Sequence, residues 1–274
     1  MKKPPVPQGF GLGLRYSFLE EVRPLEGGPS WFEIAPENWI GRGGYFRRQL
    51  ERIRKDFPLV CHGLSLSIGS PDPLNMEFLK KVKDFLKEFE IDVYSEHISF
   101  CSIGGEYVYD LLPVPFTEEM VIHISRRVRE VQDYLGRPLI LENITYYYRP
   151  KGDLEEWEFI NAVLEESGAF LLLDVNNVYV NSVNHGYDPY LFLDRVRTDR
   201  VAYIHVAGHE RFGRILIDTH GDKVKKDVED LLIYALSKTG EVPVLLERDT
   251  RVPDYMDLVR ELGELKARCY REGP

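Results

Sequence analysis

Three stretches of the chain decide the fold: LILEN at residues 139–143, FLLLD at 170–174 and VAYIHV at 201–206. Each is apolar at almost every position, which is typical of a β-strand that is buried on both faces. Segments with helical periodicity separate the three stretches, and Gly168 ends the first of these segments just before FLLLD begins. Strands that alternate with helices in this way predict a parallel sheet built from βαβ units.

The same alternation extends in both directions along the chain. Five further apolar runs are predicted to be strands, at Gly9–Arg15, Trp31–Ala35, Leu59–Leu64, Asp92–His97 and Val242–Glu247. Helices are predicted at Gly44–Asp56, Leu74–Glu88, Thr117–Leu135, Asp188–Val196, Asp222–Leu236 and Pro253–Arg268, and Asp153 with Glu156 predicts a capping box at the start of one more. Eight strands alternating with helices over about 250 residues is the count of a (β/α)8 barrel. We therefore predict an α/β fold, a TIM barrel, formed by a single domain over residues 1–274 with barrel strands from about residue 9 to 247.

A doubly wound sheet would share this alternation, but it would usually open with a glycine-rich phosphate turn between its first strand and first helix. Glycines do alternate in Gly9-Phe-Gly-Leu-Gly, yet they lie within the predicted strand. The first connection, Tyr16–Ser30, favours a helix least because it contains a proline and two adjacent glycines. The barrel is the better prediction.

The composition excludes several classes of protein. The chain has 35 basic and 45 acidic residues, and a net charge of −10 repels polyanions, so we expect no binding to nucleic acid. Three cysteines (Cys61, Cys101 and Cys269) are too few and odd in number for a disulfide framework, which fits a reducing cytoplasm. The N-terminal segment lacks the apolar region of a secretory signal, and no apolar run approaches the ~20 residues that span a bilayer. We expect a cytoplasmic protein with no membrane association.

Charged side chains recur where the predicted strands end. In a barrel, the carboxyl ends of the strands and the loops after them form the active-site rim. Six successive predicted strands, the third to the eighth, each place one such residue at that rim: His62, His97, Glu142, Asp174, His205 and Glu247. Predicted loops add Asn177 and His185 after the sixth strand, and Asp218 and His220 after the seventh.

This set of residues predicts a metal site. Carboxylates and imidazoles buried together without a cation would lose more solvation free energy than their mutual hydrogen bonds return. Imidazole combined with carboxylate suits iron, zinc or manganese, and the number of candidates exceeds what one ion binds, which indicates two or three ions. Cys61 precedes His62 on a strand and would face the helices if His62 faces the barrel interior.

Six motifs occur in order along the chain: CHGLSLSIG (61–69), SEH (95–97), LEN (141–143), LDVNN (173–177), IHVAGH (204–209) and DTHG (218–221). The segment WFEIAPEN (31–38) precedes them. Together they resemble the multinuclear non-heme iron-dependent oxidative enzymes, the family of the methanobactin-biosynthesis oxidase. The resemblance runs from about residue 9 to 250.

The resemblance implies a barrel that holds two or three iron ions of mixed Fe2+/Fe3+ valence and uses O2 as co-substrate. It implies oxidation of a ribosomally made precursor peptide, often at cysteine, with the help of a separate peptide-binding protein. Carried over by position, one iron would bind His62, His97 and Glu142. A second would bind the bridging Glu142 together with Asp174, His205 and Glu247, and a third would bind Asp218 and His220, with Asn177 and His185 assisting.

Other residues of these motifs and their neighbours are candidates for contact with the substrate or with the ligands: Glu37, Asn38, Asn143, Tyr146, His209 and Arg248. The run Tyr146-Tyr147-Tyr148 would either line a peptide groove or roof the barrel.

Two other interpretations stay open. A zinc phosphodiesterase or a divalent-metal sugar isomerase would also mix His, Asp and Glu at the strand ends of a barrel. The net charge of −10 counts against a DNA substrate, though not against a sugar. The second interpretation is a non-catalytic scaffold in which the ions are structural, but structural sites tend to be coordinatively closed, and weak ligands such as Asn177 favour open positions.

Overall fold

Parallel strands close into a barrel in the computed structural model, which describes residues 2–272. The strands in these residues are β1 (Phe10–Gly13), β2 (Trp31–Ile34), β3 (Leu59–His62), β4 (Tyr94–His97), β5 (Phe100–Ile103), β6 (Glu106–Leu112), β7 (Ile140–Glu142), β8 (Phe170–Asp174), β9 (Val201–Val206), β10 (Glu210–Phe212), β11 (Ile215–Ile217) and β12 (Val244–Leu246). Eight of them form the closed order β1-β12-β9-β8-β7-β4-β3-β2, in which neighbouring strands are parallel. The predicted TIM barrel is confirmed, while the ends of the predicted domain (Met1, Gly273 and Pro274) lie outside the described residues.

Helices pack around this barrel. Within residues 2–272 they are α1 (Gly44–Asp56), α2 (Met76–Glu88), α3 (Glu118–Leu135), α4 (Glu156–Ser167), α5 (Val175–His185), α6 (Pro189–Arg195), α7 (Lys226–Thr239) and α8 (Tyr255–Glu272). The predicted ends of α3 are confirmed, since the Thr117 side chain caps its first turn and Gly136 ends it with φ of 71°. None of the described helices combines the length and apolar character that a bilayer crossing requires.

Three local predictions were wrong. The capping box of α4 pairs Glu155 with Glu158, two residues beyond the predicted pair. The first connection forms only a 3₁₀ segment, Tyr16–Glu21, because the proline and glycines that follow stop any longer helix. The segment after β8 is the helix α5 rather than a loop, so His185 lies at a helix end. Its Asn-rich sequence has poor helix propensity, but Asp174 caps it by accepting a hydrogen bond from the Asn177 N–H group.

Two hairpins follow barrel strands in segments where no strand was predicted. β5 and β6 pair antiparallel after β4, and β10 and β11 pair antiparallel after β9. Gly104 and Gly105 connect the first pair with φ values of 63° and 81°, and Gly213 turns the second with φ of 61°. Both hairpins follow a carboxyl end of a barrel strand and therefore stand on the active-site side of the barrel.

The alternation of side chains along each strand separates two apolar cores. One core fills the barrel interior and includes Trp31, Val60, Ile140, Leu172, Tyr203 and Leu245. The other lies between strands and helices and contains Cys61, as expected from its position next to His62. Because every second residue faces the same side, the residues two positions beyond the interior core also point inward. That rule places six polar residues above the apolar layer: Glu33, His62, Glu142, Asp174, His205 and Glu247.

Candidate metal centre

Buried histidines and carboxylates converge above the interior core. All six residues predicted to come from the strand ends are buried: His62, His97, Glu142, Asp174, His205 and Glu247. Within the described residues, atoms that could ligate a metal lie within 4.8 Å of one another in four groups: His62/His97/Glu142, Glu33/His205/Glu247, Glu142/Asp174/His205 and Asp174/His220/Glu247. The groups overlap, so they form one continuous cluster.

The first group joins the ends of β3, β4 and β7. Nε2 of His62 lies 2.9 Å from Oε2 of Glu142, and Nε2 of His97 lies 3.3 Å from the same oxygen. The two Nε2 atoms are 3.1 Å apart. Three ligand atoms therefore surround one point at the rim.

Glu142 also belongs to a second group, Glu142/Asp174/His205, because its two oxygens face different neighbours. Its Oε1 lies 3.9 Å from Nδ1 of His205. The same Nδ1 is 4.0 Å from Oδ2 of Asp174 and 3.1 Å from Oε2 of Glu247. A carboxylate in this position can bridge two cation sites.

The third group, Asp174/His220/Glu247, forms where the segment after β11 returns to the rim. Nε2 of His220 lies 2.8 Å from Oδ1 of Asp218, and Nδ1 of His220 lies 3.4 Å from Oε2 of Glu247. The backbone of His220 adopts φ of 46°, a conformation that a residue other than glycine rarely takes. The local fold thus holds this imidazole against the carboxylates at the expense of backbone strain.

Burial and mutual charge shift the pKa values of these groups in both directions. Burial alone would lower the pKa of His62, but the Glu142 carboxylate outweighs it and raises this pKa to about 9. Burial lowers the pKa of His97 to about 4. For Glu142, burial opposes ionisation, yet the His97 and His62 imidazoles lower its pKa to about 2. Burial and the charge of Glu142 raise the pKa of Asp174 well above its usual range.

The cluster fits a group of metal ions. Among the described residues, these buried atoms that face the cluster have no hydrogen-bond partner: Oε2 of Glu142, Oδ2 of Asp174, Nδ1 of His205 and Nε2 of His220. They approach each other at ion-pair distances without the geometry of a hydrogen bond, as lone pairs aimed at a shared cation would. Unpartnered polar atoms at this depth are costly, and coordination to metal would remove the cost.

A cavity of about 630 Å3 opens above the cluster. Its floor includes His62, His97 and Glu142, and its walls include Asp110–Pro113 of β6 and the loop after it and the run Tyr146–Tyr148. Tyr147 and Tyr148 are 54% and 70% exposed, whereas Tyr146 is buried and donates a hydrogen bond from Oη to Glu156. Tyr146 therefore stabilises the cavity wall, whereas the rings of Tyr147 and Tyr148 are exposed at the opening.

Residues 9–269 match the family described as RiPP precursor modification enzyme MbnB/TglH/ChrH, where RiPP denotes a ribosomally synthesised and post-translationally modified peptide. The chain belongs to this family. The predicted resemblance is confirmed, and the family consists of enzymes that modify precursor peptides.

Relatives of this family match over nearly their whole length. The chain is 48% identical over 259 residues to a UPF0276 protein of Acinetobacter baylyi, covering 94% of this chain and 90% of the relative. It is 46% identical over 267 residues to a UPF0276 protein of Pseudomonas aeruginosa, covering 97% and 94% of the two chains.

Solved structures resemble the chain in fold alone. An L-ribulose 3-epimerase superposes with a TM-score of 0.66 at 14% identity, covering 97% of this chain and 95% of the epimerase. Endonuclease IV from Thermus thermophilus superposes with a TM-score of 0.61 at 16% identity, covering 97% and 100%. At these identities the likeness shows the TIM-barrel fold alone and says nothing about the chemistry.

Two asparagines predicted near the ligands do contact them. Asn143 connects the ends of β7 and β8, since its side chain donates a hydrogen bond to the Asp174 carbonyl and accepts one from the Asp174 N–H group. Asn177 donates from its backbone to Oδ1 of Asp174 and from its side chain to Oε1 of Glu142. Both residues of this MbnB/TglH/ChrH family member therefore orient carboxylates of the cluster.

Two more predicted residues contact segments beside the cluster rather than the ligand atoms themselves. Glu37 accepts hydrogen bonds from the backbone N–H groups of Leu64 and Ser65, which holds the loop after β3 next to His62. His209 lies outside the metal groups, with its Nδ1 2.9 Å from the side-chain oxygen of Asn176.

Three predicted site residues are not brought to the cluster. His185 lies 2.8 Å from the Tyr146 carbonyl through its Nε2 and stacks on the Tyr146 ring, because α5 carries it past the rim. Asn38 is exposed and uses its carbonyl to accept from Tyr16 and Arg42. Arg248 pairs with Glu261 at 2.5 Å in a buried contact with α8.

The sequence prediction missed a set of residues that contact the cluster: Arg15, Glu33, Ser95, Tyr203 and Asp249. Arg15 pairs with Asp249 and lies 3.6 Å from Glu247, so it supplies one fixed positive charge at the rim. Glu33 could have been found, because it is a lone charge in the strand WFEI two positions beyond the inward-facing Trp31.

Proposed function

We propose that this protein is a multinuclear non-heme iron-dependent oxidase that uses O2 to modify a ribosomally made peptide at cysteine. Peptide modification rests on family membership. The observation that supports a multinuclear centre is that two residues, Glu142 and Asp174, each belong to two of the three groups that would hold ions. A single ion would need no shared ligands, whereas a cluster of ions depends on them.

The residues present would distribute over two or three ions. His62, His97 and Glu142 would hold one ion, and Glu142 with Asp174 and His205 would hold a second. A third would bind His220 and Glu247, with Asp218 next to them. Bound iron would supply one-electron redox chemistry and open positions for O2 and for a substrate thiolate.

The thiol is expected to come from the substrate, because no cysteine of the described residues belongs to any of the four candidate metal groups. Cys61 lies in the outer core, where burial raises the pKa of its thiol well above the usual range. Cys101 is buried in β5 with its Sγ 3.7 Å from the Leu64 carbonyl, and burial raises its pKa as well. Neither thiol is positioned to compete for a metal ion.

The cavity would receive the segment of the peptide that is modified. Its wall carries the exposed rings of Tyr147 and Tyr148, which offer apolar contact area to an extended peptide. Its lining also carries the carboxylates of Asp110, Asp218 and Asp249. These charges disfavour acidic residues close to the modified cysteine, and a separate peptide-binding protein would deliver the remainder of the precursor.

The alternative barrel enzymes are less well supported. The solved structures include an endonuclease and an epimerase, but they share only 14–16% identity with the chain. A DNA phosphate backbone would meet the acidic cavity lining rather than a basic surface. A purely structural metal site would not require a cavity of about 630 Å3 above its ligands.

The proposal is tested by anaerobic purification followed by metal analysis and an oxygen-consumption assay. The substrate is a cysteine-containing precursor peptide encoded beside the gene, supplied with any peptide-binding companion. We expect iron in the protein, peptide-dependent O2 consumption and a mass change in the peptide. Stoichiometric zinc with no O2 consumption would contradict the proposal.

A further inference from the structure

A buried chain of polar contacts runs beneath the metal groups and connects two histidines across the barrel. Nδ1 of His62 lies 2.8 Å from Oγ of Ser95, which lies 2.8 Å from Oη of Tyr203. Tyr203 donates to Oε2 of Glu33 at 2.7 Å. Oε1 of Glu33 lies 3.0 Å from Nε2 of His205. His62 and His205 come from β3 and β9, which are four strands apart in the closed order.

The donors and acceptors fix where each proton sits. The one hydroxyl proton of Tyr203 goes to Glu33, so Oη can only accept from Ser95. Ser95 then directs its own proton toward Tyr203 at 2.8 Å, with the Cys61 carbonyl at 3.3 Å as a second acceptor, and accepts a proton from Nδ1 of His62. Neutral His62, the form that binds metal, is therefore the Nδ1–H tautomer, and its Nε2 is the nitrogen that faces His97 and Glu142 in the first metal group.

At the other end of this series of polar contacts, the two ring nitrogens of His205 have different neighbours. Nδ1 has three carboxylates within 4.0 Å, those of Glu142, Asp174 and Glu247. Nε2 has Glu33 at 3.0 Å on the opposite edge of the ring, an ion-pair distance outside hydrogen-bond geometry. Nδ1 is thus the ligand nitrogen, and Glu33 belongs beneath the ring as the partner that orients it, rather than among the metal ligands.

Solvent cannot replace any member of this chain. Ser95 and Tyr203 are 0% exposed and Glu33 is 4% exposed. The Tyr203 ring packs edge-on against Trp31 at 6.0 Å between ring centroids. Without its hydroxyl, Tyr203 would leave Oε2 of Glu33 without its donor, and Ser95 would keep only His62 and the Cys61 carbonyl as partners, so that Glu33 and Ser95 would no longer be held by one shared group.

We infer that Tyr203 is a positioning residue of the metal centre, which sets the ligand nitrogens of His62 and His205 at the same time through Ser95 and Glu33. The inference rests on the proposed function, because it assumes that the cluster binds metal. It goes beyond that function in assigning Tyr203 a role that the ligand groups do not indicate and in moving Glu33 from the ligands to the residues that orient them.

The test compares two substitutions that each remove one buried hydroxyl. Tyr203→Phe breaks the chain, while Tyr94→Phe is the matched control. Tyr94 is also 0% exposed and also donates to a carboxylate, Glu96, but its ring faces the outer core. The dissociation constant for ferrous ion is measured anaerobically by competition with a chelator, and the melting temperature is measured on the metal-free proteins.

We expect Tyr203→Phe to weaken ferrous ion binding by about 10- to 100-fold and Tyr94→Phe to leave it unchanged. A purely structural role would lower the melting temperature in both variants without separating their metal affinities. Equal ferrous affinity for Tyr203→Phe and the wild type would overturn the inference alone. A wild-type protein that binds no ferrous ion would overturn the proposed function and the inference together.

A second variant keeps the test decisive if Tyr203→Phe folds poorly. Ser95→Ala removes the acceptor of the His62 Nδ1–H proton and leaves the contact of Glu33 with His205 in place. In the Co2+-loaded protein, proton NMR detects shifted N–H signals of metal-bound imidazoles. We expect one such signal to exchange with solvent faster in Ser95→Ala than in the wild type, and identical exchange would contradict the assigned tautomer.

Discussion

Replacing Glu142 with glutamine keeps the shape of the side chain and removes the charge that two metal groups share. One oxygen of Glu142 faces His62 and His97, and the other faces His205. We expect Glu142→Gln to lose the ions of both groups and to retain binding only at the third, which contains Asp174, His220 and Glu247 without Glu142. Removal of a ligand should cost more than the 10- to 100-fold of an outer partner.

The structure also predicts the effect on the metal-free protein. The pKa of Glu142 is lowered from 4.5 to about 2, which corresponds to about 3 kcal/mol of free energy of unfolding. Because the pKa in the folded state is lowered, this contribution is present above pH 4.5 and is lost as the pH falls toward 2. Glu142→Gln should therefore be about 3 kcal/mol less stable than the wild type at pH 7 and nearly equal to it near pH 2.

The assay combines metal analysis after anaerobic loading with urea denaturation of the metal-free proteins at several pH values. Glu156→Gln is the matched control, because Glu156 is also buried but lies outside the metal groups. It should keep the wild-type metal content. A Glu142→Gln protein with the full wild-type metal content would refute the assignment of Glu142 as the shared ligand.

Three further predictions concern protons, stability and substrate. The His62 imidazole has a pKa of about 9 and must lose a proton to bind metal. Ferrous affinity, measured by chelator competition, should therefore rise by up to about tenfold per pH unit between pH 7 and 9. An affinity that does not change with pH would contradict the role of His62 as a ligand. Burial raises the pKa of Glu156 from 4.5 to about 7, so the free energy of unfolding should fall by up to about 3 kcal/mol from pH 4.5 to 7 in urea titrations, and Glu156→Gln should abolish that slope. Tyr148→Ala should raise the KM for the peptide by about tenfold with unchanged metal content, because its exposed ring offers apolar contact area at the cavity mouth; an unchanged KM would place the peptide elsewhere.

The alternation of apolar runs with helical segments was enough to predict the barrel, and the polar residues at the ends of those runs predicted most of the residues that meet at its rim. His62, Glu142 and Asp174 each lie two positions beyond an apolar residue of the interior core, so a strand that buries one necessarily aims the other inward. The sequence did not reveal Tyr203, because its partner Glu33 lies 170 positions away along the chain. Contacts at that separation depend on closure of the barrel, which no local pattern contains.

The segments after the strands were harder to predict, for two different physical reasons. The β5–β6 hairpin carries a local signal, the Gly104-Gly105 turn between two runs with strand propensity, and could have been predicted. The helix α5 carries almost none, because its start depends on Asp174 capping the Asn177 N–H group while also facing the metal groups. His185 was therefore placed in a loop at the rim, although the helix carries it to Tyr146.

The number and position of the ions can be measured by anomalous X-ray scattering at the iron absorption edge, from crystals of anaerobically purified protein. We predict two or three iron peaks in the space bounded by His62, Glu142, Asp174 and His220, with Glu142 lying between two of them. Anomalous signal only at the zinc edge, or iron peaks away from these side chains, would contradict this prediction.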